Sequence, residues 1–193
     1  MSIQYNAYIA TSMDPYQILT RLSEELKLSA PTEAPPEEGA NSNSTWYCYD
    51  VPLGIEGLPA NTEDHIDVGI GAVHANQQEF VDMVFDVLGI TEQGQPSVNI
   101  VLHQPDYNDF PITDEEQCAV FYEEGYLQVL RTMGAVLQCV EGDGFMHRES
   151  SPYCEFIRKQ GEVIIDPTTM TWGEEEKRAM GVPLTIAKIP EIL

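Results

Sequence analysis

No lysine or arginine occurs between Lys27 and Arg131. That stretch is more than half of the 193 residues and holds 19 of the 32 acidic side chains. It therefore carries most of the formal net charge of −23. Whatever the middle of the chain folds into must form against its own repulsion. Solubility alone asks for a net charge of only roughly 2–8 in a small domain. The excess points to a cationic partner. A field of this sign speeds encounter with a basic protein by ~10–10³ and makes that encounter salt-sensitive. It also repels phosphate, so nucleic acids are the partner class least expected to bind directly.

The chain still has the means to build a core. Its hydrophobic fraction is 42%, with nine Tyr, six Phe and two Trp, so disorder of the whole chain is not expected. One domain over residues 1–193 is the expectation for this length. The opening residues have neither a basic nor an apolar stretch of the kind that directs export. No apolar run approaches the ~18–20 residues of a membrane span. A cytoplasmic protein is expected. Cys48, Cys118, Cys139 and Cys154 are scattered without C-x-x-C or zinc-like spacing. They read as reduced structural thiols, with no cofactor implied.

Ile3, Tyr5, Ala7 and Ile9 alternate as in a strand. Asp14-Pro15 then caps a helix over about 15–27, with Ile18, Leu19, Leu22 and Leu26 on one face. Residues 29–45 are rich in Pro, Glu, Ser, Asn and Gly and read as a mobile acidic loop. Strands are expected at 45–50, 66–73 and 98–102. A helix between the last two starts at Asn76 with a partial capping box to Glu79 and ends at Gly89. A long helix is expected over about 115–140, with Gly125 and Gly134 giving close approach to a sheet. A hairpin turns at Gln160-Gly161. Thr171 and Glu174 form a second capping box, opening a short helix that Gly181 closes. The order predicts an α+β fold: a single mixed or antiparallel sheet with helices packed on a face.

Candidate chemistry is sparse. Asp64, His65 and Asp67, with His74 or His103, contain metal-binding residue types, but no H-x-x-x-H or H-E-x-x-H pair supports them. A polar loop before a strand is the plainer account of them, and no metal is expected. His103 and Asp106 resemble a base and its orienter, but no G-x-S-x-G nucleophile accompanies them. Gly142-Asp143-Gly144 lacks the lysine of a phosphate loop. The chain does not read as an enzyme.

The acidic surface is more informative. Glu79, Asp82 and Asp86 fall at i, i+3 and i+7, opposite the apolar face of their helix. A helix that only needed solubility would gain from i, i+4 Glu–Lys pairs, and this one has none. Asp106, Asp109, Asp114, Glu115 and Glu116 form a second cluster, in which Tyr107 and Phe110 supply candidate anchors. Both groups are expected in a partner-binding surface; the plainer alternative is a solvated face.

The opening Ile3-Gln4-Tyr5-Asn6-Ala7-Tyr8-Ile9-Ala10-Thr11-Ser12-Met13-Asp14-Pro15, running into Ile18-Leu19, resembles the start of Sit-type immunity proteins, antidotes of swarmer-inhibition toxins. The C-terminal stretch is similar too: Val163-Ile164-Ile165-Asp166, Trp172, a short charged helix, Gly181-Val182-Pro183 and a final Ile-Pro-Glu. The match covers about the first 25 and last 50 residues. It implies no catalytic residues and a role in binding a cognate basic toxin domain, such as a nuclease, over its active or substrate-binding surface. The alternative expectation is an acidic DNA mimic, carried by a phage or plasmid, that blocks a host nuclease or restriction enzyme.

Overall fold

The N-terminal strand lies at the centre of the sheet. The elements in chain order are β1 (Ile3–Ala10), α1 (Pro15–Leu26), β2 (Thr32–Ala34), β3 (Trp46–Pro52), β4 (His65–Ala72), α2 (Ala75–Leu88), β5 (Ser97–Gln104), α3 (Glu115–Cys139), β6 (Gly144–Arg148), β7 (Cys154–Lys159), β8 (Glu162–Ile165), α4 (Glu174–Met180) and β9 (Leu184–Ile186). The computed structural model describes residues 3–27, 32–34, 46–53, 65–90, 97–104 and 114–193. Among them the strands form one sheet in the order β2-β3-β4-β5-β1-β6-β7-β8-β9. All neighbours are antiparallel except the parallel pair β8–β9. This is an α+β fold on a single mixed sheet, the class that the element order predicts. Most of the expected loop at 29–45 lies outside the described residues; within it, Thr32–Ala34 pairs with β3.

Strand alternation sends β1 side chains to both sides of the sheet. Tyr5, Ala7 and Ile9 enter a large core with Ile18, Leu19 and Leu22 of α1, Phe121, Leu130 and Met133 of α3, and Met180 of α4. Tyr8 and Ala10 enter a smaller core with Val81, Val84, Phe85 and Leu88 of α2 and the C-terminal Ile189 and Ile192. Three helices therefore cover one side, here the α3 side, and α2 lies alone on the other. Burial from both sides is why β1 is buried continuously from Tyr5 to Ala10.

The helix ends follow local chemistry, with two departures. Asp14 caps α1 by accepting from Tyr16 N, Gln17 bonds back to its backbone, and Pro15 occupies the first turn. α2, however, begins at Ala75 with His74 as its cap and no side-chain cap bond. Asn76 is already inside the helix, so the expected Asn76–Glu79 box does not form. Similarly, α4 begins after Gly173, so Thr171 is not its cap. Three glutamates in its first turn and Lys177 and Arg178 in its last complement the helix dipole instead.

Gly125 admits the side chain of Gln104 from β5, as a sheet contact requires. Gly134 instead lies against the backbone carbonyl of Met180, so it brings α3 onto α4 and not onto the sheet. The β7–β8 hairpin turns through Gln160 and Gly161, both at positive φ (52° and 79°), as a two-residue primed turn requires. Asp143 clamps this turn, its carboxylate accepting from Gln160 N at 2.8 Å and Gly161 N at 3.4 Å. The Gly142-Asp143-Gly144 segment is thus a turn clamp.

Candidate functional site

The α2 side carries the candidate site. α2 is helical because Val81, Val84, Phe85 and Leu88 recur at helical spacing and are buried together. The same spacing gathers Glu79, Asp82, Met83, Asp86 and Val87, at i, i+3, i+4, i+7 and i+8, into an outward stripe. Met83 and Val87 are 46% and 45% exposed, so the stripe interleaves carboxylates with apolar side chains. The Gln78 amide donates to Asp82 Oδ1 at 2.9 Å and fixes that carboxylate.

Helix capping does not account for the charges on this stripe, since the cap is His74 and the first turn holds no acidic residue. Asp86 sits in the last turn, where the helix dipole disfavours an anion by about 0.3–1 kcal/mol. No basic residue occupies that turn. The missing positive charge comes from β7, where the Lys159 ammonium donates to Leu88 O at 3.2 Å.

Asp114, Glu115 and Glu116 have the opposite standing. Asp114 is the N-cap of α3, accepting from Glu116 N at 2.9 Å, and the two glutamates occupy the first turn. Capping and the dipole account for all three. They also belong to a helix on the other side of the sheet from α2. Asp114, Glu115 and Glu116 therefore do not join the α2 stripe in one docking plate. Asp106, Tyr107, Asp109 and Phe110 lie outside the described residues.

Sheet register adds acidic groups to the α2 side. Ile66, Val68 and Ile70 of β4 face the large core, so His65 and Asp67 face the other way. Asp50 of β3 stands directly across from Asp67, and His103 of β5 stands across from it on the other flank. His65 Nε2 lies 3.2 Å from Asp67 Oδ1 and 3.9 Å from Asp50 Oδ1. The expected grouping of Asp64 with His65 and Asp67 is thus replaced by one with Asp50; Asp64 lies outside the described residues. His74 is committed to the start of α2. Asp50 was missed because strand pairing, which sequence spacing does not display, brings it there.

Several polar groups are buried in the core. Glu155 is 1% exposed and accepts from the Tyr126 hydroxyl at 2.8 Å. Burial raises its pKa to about 7, against smaller opposing effects of Tyr126 and Arg148. Cys154 is driven to about 12 by burial and then by Glu155, which leaves its thiol unreactive. His147 is packed among the rings of Tyr8, Phe80 and Phe145 at centroid distances of 6.1, 5.6 and 5.8 Å. Neither of its nitrogens makes a well-formed hydrogen bond. Burial lowers its pKa, partly offset by the Arg148 backbone. A groove of about 420 Å³ between α3 and α4 is lined by Glu124, Leu127, Arg131, Glu175, Arg178 and Ala179, a mixed-charge set without a nucleophile.

Among the described residues no helix is long and apolar enough to cross a membrane. Comparison with protein-family models, with curated proteins and with solved structures returns no match.

Proposed function

We propose that this protein is a non-enzymatic binding protein of the immunity type, which captures a basic toxin domain through the α2 side of its sheet. The observation that carries this reading is the α2 stripe, where Glu79, Asp82 and Asp86 alternate with half-exposed Met83 and Val87. The carboxylates steer the encounter, and the apolar side chains supply area to bury once contact is made. This composition favours a dedicated protein partner over imitation of a DNA backbone, because an array of phosphates has no apolar steps. Terminal elements like those of Sit-type immunity proteins support the same role. Asp114, Glu115 and Glu116 are assigned to helix capping and not to the interface.

The test reverses charge at Asp82 and Asp86 together, Asp82→Lys with Asp86→Lys. Association with the polypeptide encoded by the adjacent gene, produced with its activity disabled, is measured at low and moderate salt. The association rate at low salt should fall by at least about tenfold and lose most of its salt dependence. An unchanged rate removes α2 from the interface. Equal binding to unrelated basic proteins such as lysozyme reduces the stripe to a general polyanion.

A further inference from the structure

Independently of that reading, we propose that Asp50, His65 and Asp67 form a binding site for a divalent metal ion of the imidazole-accepting class, with zinc as the type ion. The three residues come from two hydrogen-bonded strands. His65 and Asp67 are two apart on β4 and share its α2-side face, while Asp50 is the register partner of Asp67 on β3. One donor atom from each lies within 4.8 Å of the others.

The spacing fits an ion. Tetrahedral coordination with bonds of about 2.0–2.1 Å places ligand atoms about 3.3 Å apart. His65 Nε2 already stands at 3.2 Å and 3.9 Å from the two carboxylate oxygens. Closing the wider gap needs only rotation of the Asp50 side chain, which is 68% exposed. The donor set selects the ion. Calcium and magnesium take oxygen ligands, whereas one imidazole with two carboxylates suits zinc and its first-row neighbours.

The charge around the site favours a cation as well. Two carboxylates directly opposite on adjacent strands repel each other. The chain offers no Lys or Arg from residue 28 to residue 130 to relieve them. A divalent ion removes that repulsion outright. The next position on the same face of β4 is Gly69, which carries no side chain to fill the remaining coordination position. That position is left for water or for a donor from a bound partner. His103, across from Asp67 on β5, is placed to orient that carboxylate, as outer partners of metal ligands do.

With so many carboxylates, diffuse ion binding has to be separated from a site, and His65→Gln does this because it leaves the carboxylates untouched. The full-length protein is stripped with chelator and titrated with Co²⁺ as a spectroscopic probe, and then with Zn²⁺ in competition. The expected result is saturation near one equivalent, with visible absorption of a four- or five-coordinate Co²⁺ ion. Zn²⁺ should displace the Co²⁺, and a tenfold excess of Ca²⁺ should not. His65→Gln and Asp67→Asn should each abolish the absorption and weaken Zn²⁺ binding by at least about tenfold. Glu162→Gln, on β8 with four strands between it and β4, should leave both unchanged. Circular dichroism checks that the variants fold, and the exposed Asp50→Asn substitution serves if either β4 variant does not. Unchanged stoichiometry and affinity in His65→Gln, or no saturable binding in the parent protein, overturns the site.

Discussion

On the α3 side of the sheet, several charges have a local structural account. Arg158 donates to Leu137 O at 2.9 Å and stabilises the end of α3. Asp114 caps the start of that helix, and Lys177 and Arg178 occupy the last turn of α4. Glu155 is buried, and burial raises its pKa to about 7. On the α2 side, carboxylates stand at positions that helix capping does not account for. Asp50 and Asp67 face each other across a strand pair, and Asp86 sits at the unfavourable end of α2. The contrast predicts that α3-side substitutions change stability, whereas substitutions on the α2 stripe change only binding.

The largest effect should come from Phe121→Ala, which empties a fully buried position of α3 in the large core. A loss of about 3–5 kcal/mol in urea unfolding is expected. Met83→Ala on the α2 stripe should stay within about 0.5 kcal/mol. A large effect at Met83 would make its side chain part of the packed fold and not of a free surface.

Acid-dependent stability should come next in size, and its sign is the informative part. Folding raises the Glu155 pKa from about 4.5 to about 7. Between those values the folded protein binds more protons than the unfolded chain, so stability falls as pH rises through this window and levels off above it. The span corresponds to a change on the order of 3 kcal/mol. Glu155→Gln should flatten this slope and unfold at higher urea than the parent at pH 8. His147 acts in the opposite direction. Its lowered pKa gives stability that is present above the ordinary histidine value of 6.5 and lost as pH falls below it. His147→Phe should remove that acid limb. Urea midpoints across pH for the two variants separate the contributions.

Where one local signal decides an element, the sequence was readable. Asp14-Pro15 and the Leu-rich spacing behind it define α1, and Gln160-Gly161 defines the hairpin. The pattern behind α2 predicted its buried and exposed faces, and with them Glu79, Asp82 and Asp86. What escaped depends on long-range pairing. β2 and β9 are three residues each and exist through their neighbours β3 and β8. β6 is flanked on both sides, by β1 and β7, and buried through most of its length, so it shows no alternation. The meeting of Asp50 with His65 is likewise a matter of register. Asp114 and Asp82 look alike in sequence because a capping carboxylate and an outward-facing one are the same group. The helix position and the side of the sheet separate them.

That distinction supports a smaller prediction. Asp114→Ala removes the cap bond to Glu116 N and should lower stability by about 1 kcal/mol in urea unfolding. Partner association should not change, since Asp114 stands on the far side of the sheet from α2.

Asp82→Asn should give the smallest effect and bear most directly on the comparison. Asparagine keeps an oxygen that can accept from the Gln78 amide, so the helix loses no hydrogen bond. It removes one negative charge from a helix that contains no base, which slightly relieves repulsion. Stability should therefore stay level or rise by up to about 0.5 kcal/mol, while low-salt association with a basic partner slows. A loss of more than about 1 kcal/mol would make the Asp82 carboxylate a structural group like Asp114. The two sides of the sheet would then no longer differ in how they use charge, and α2 would not be a surface shaped for a partner.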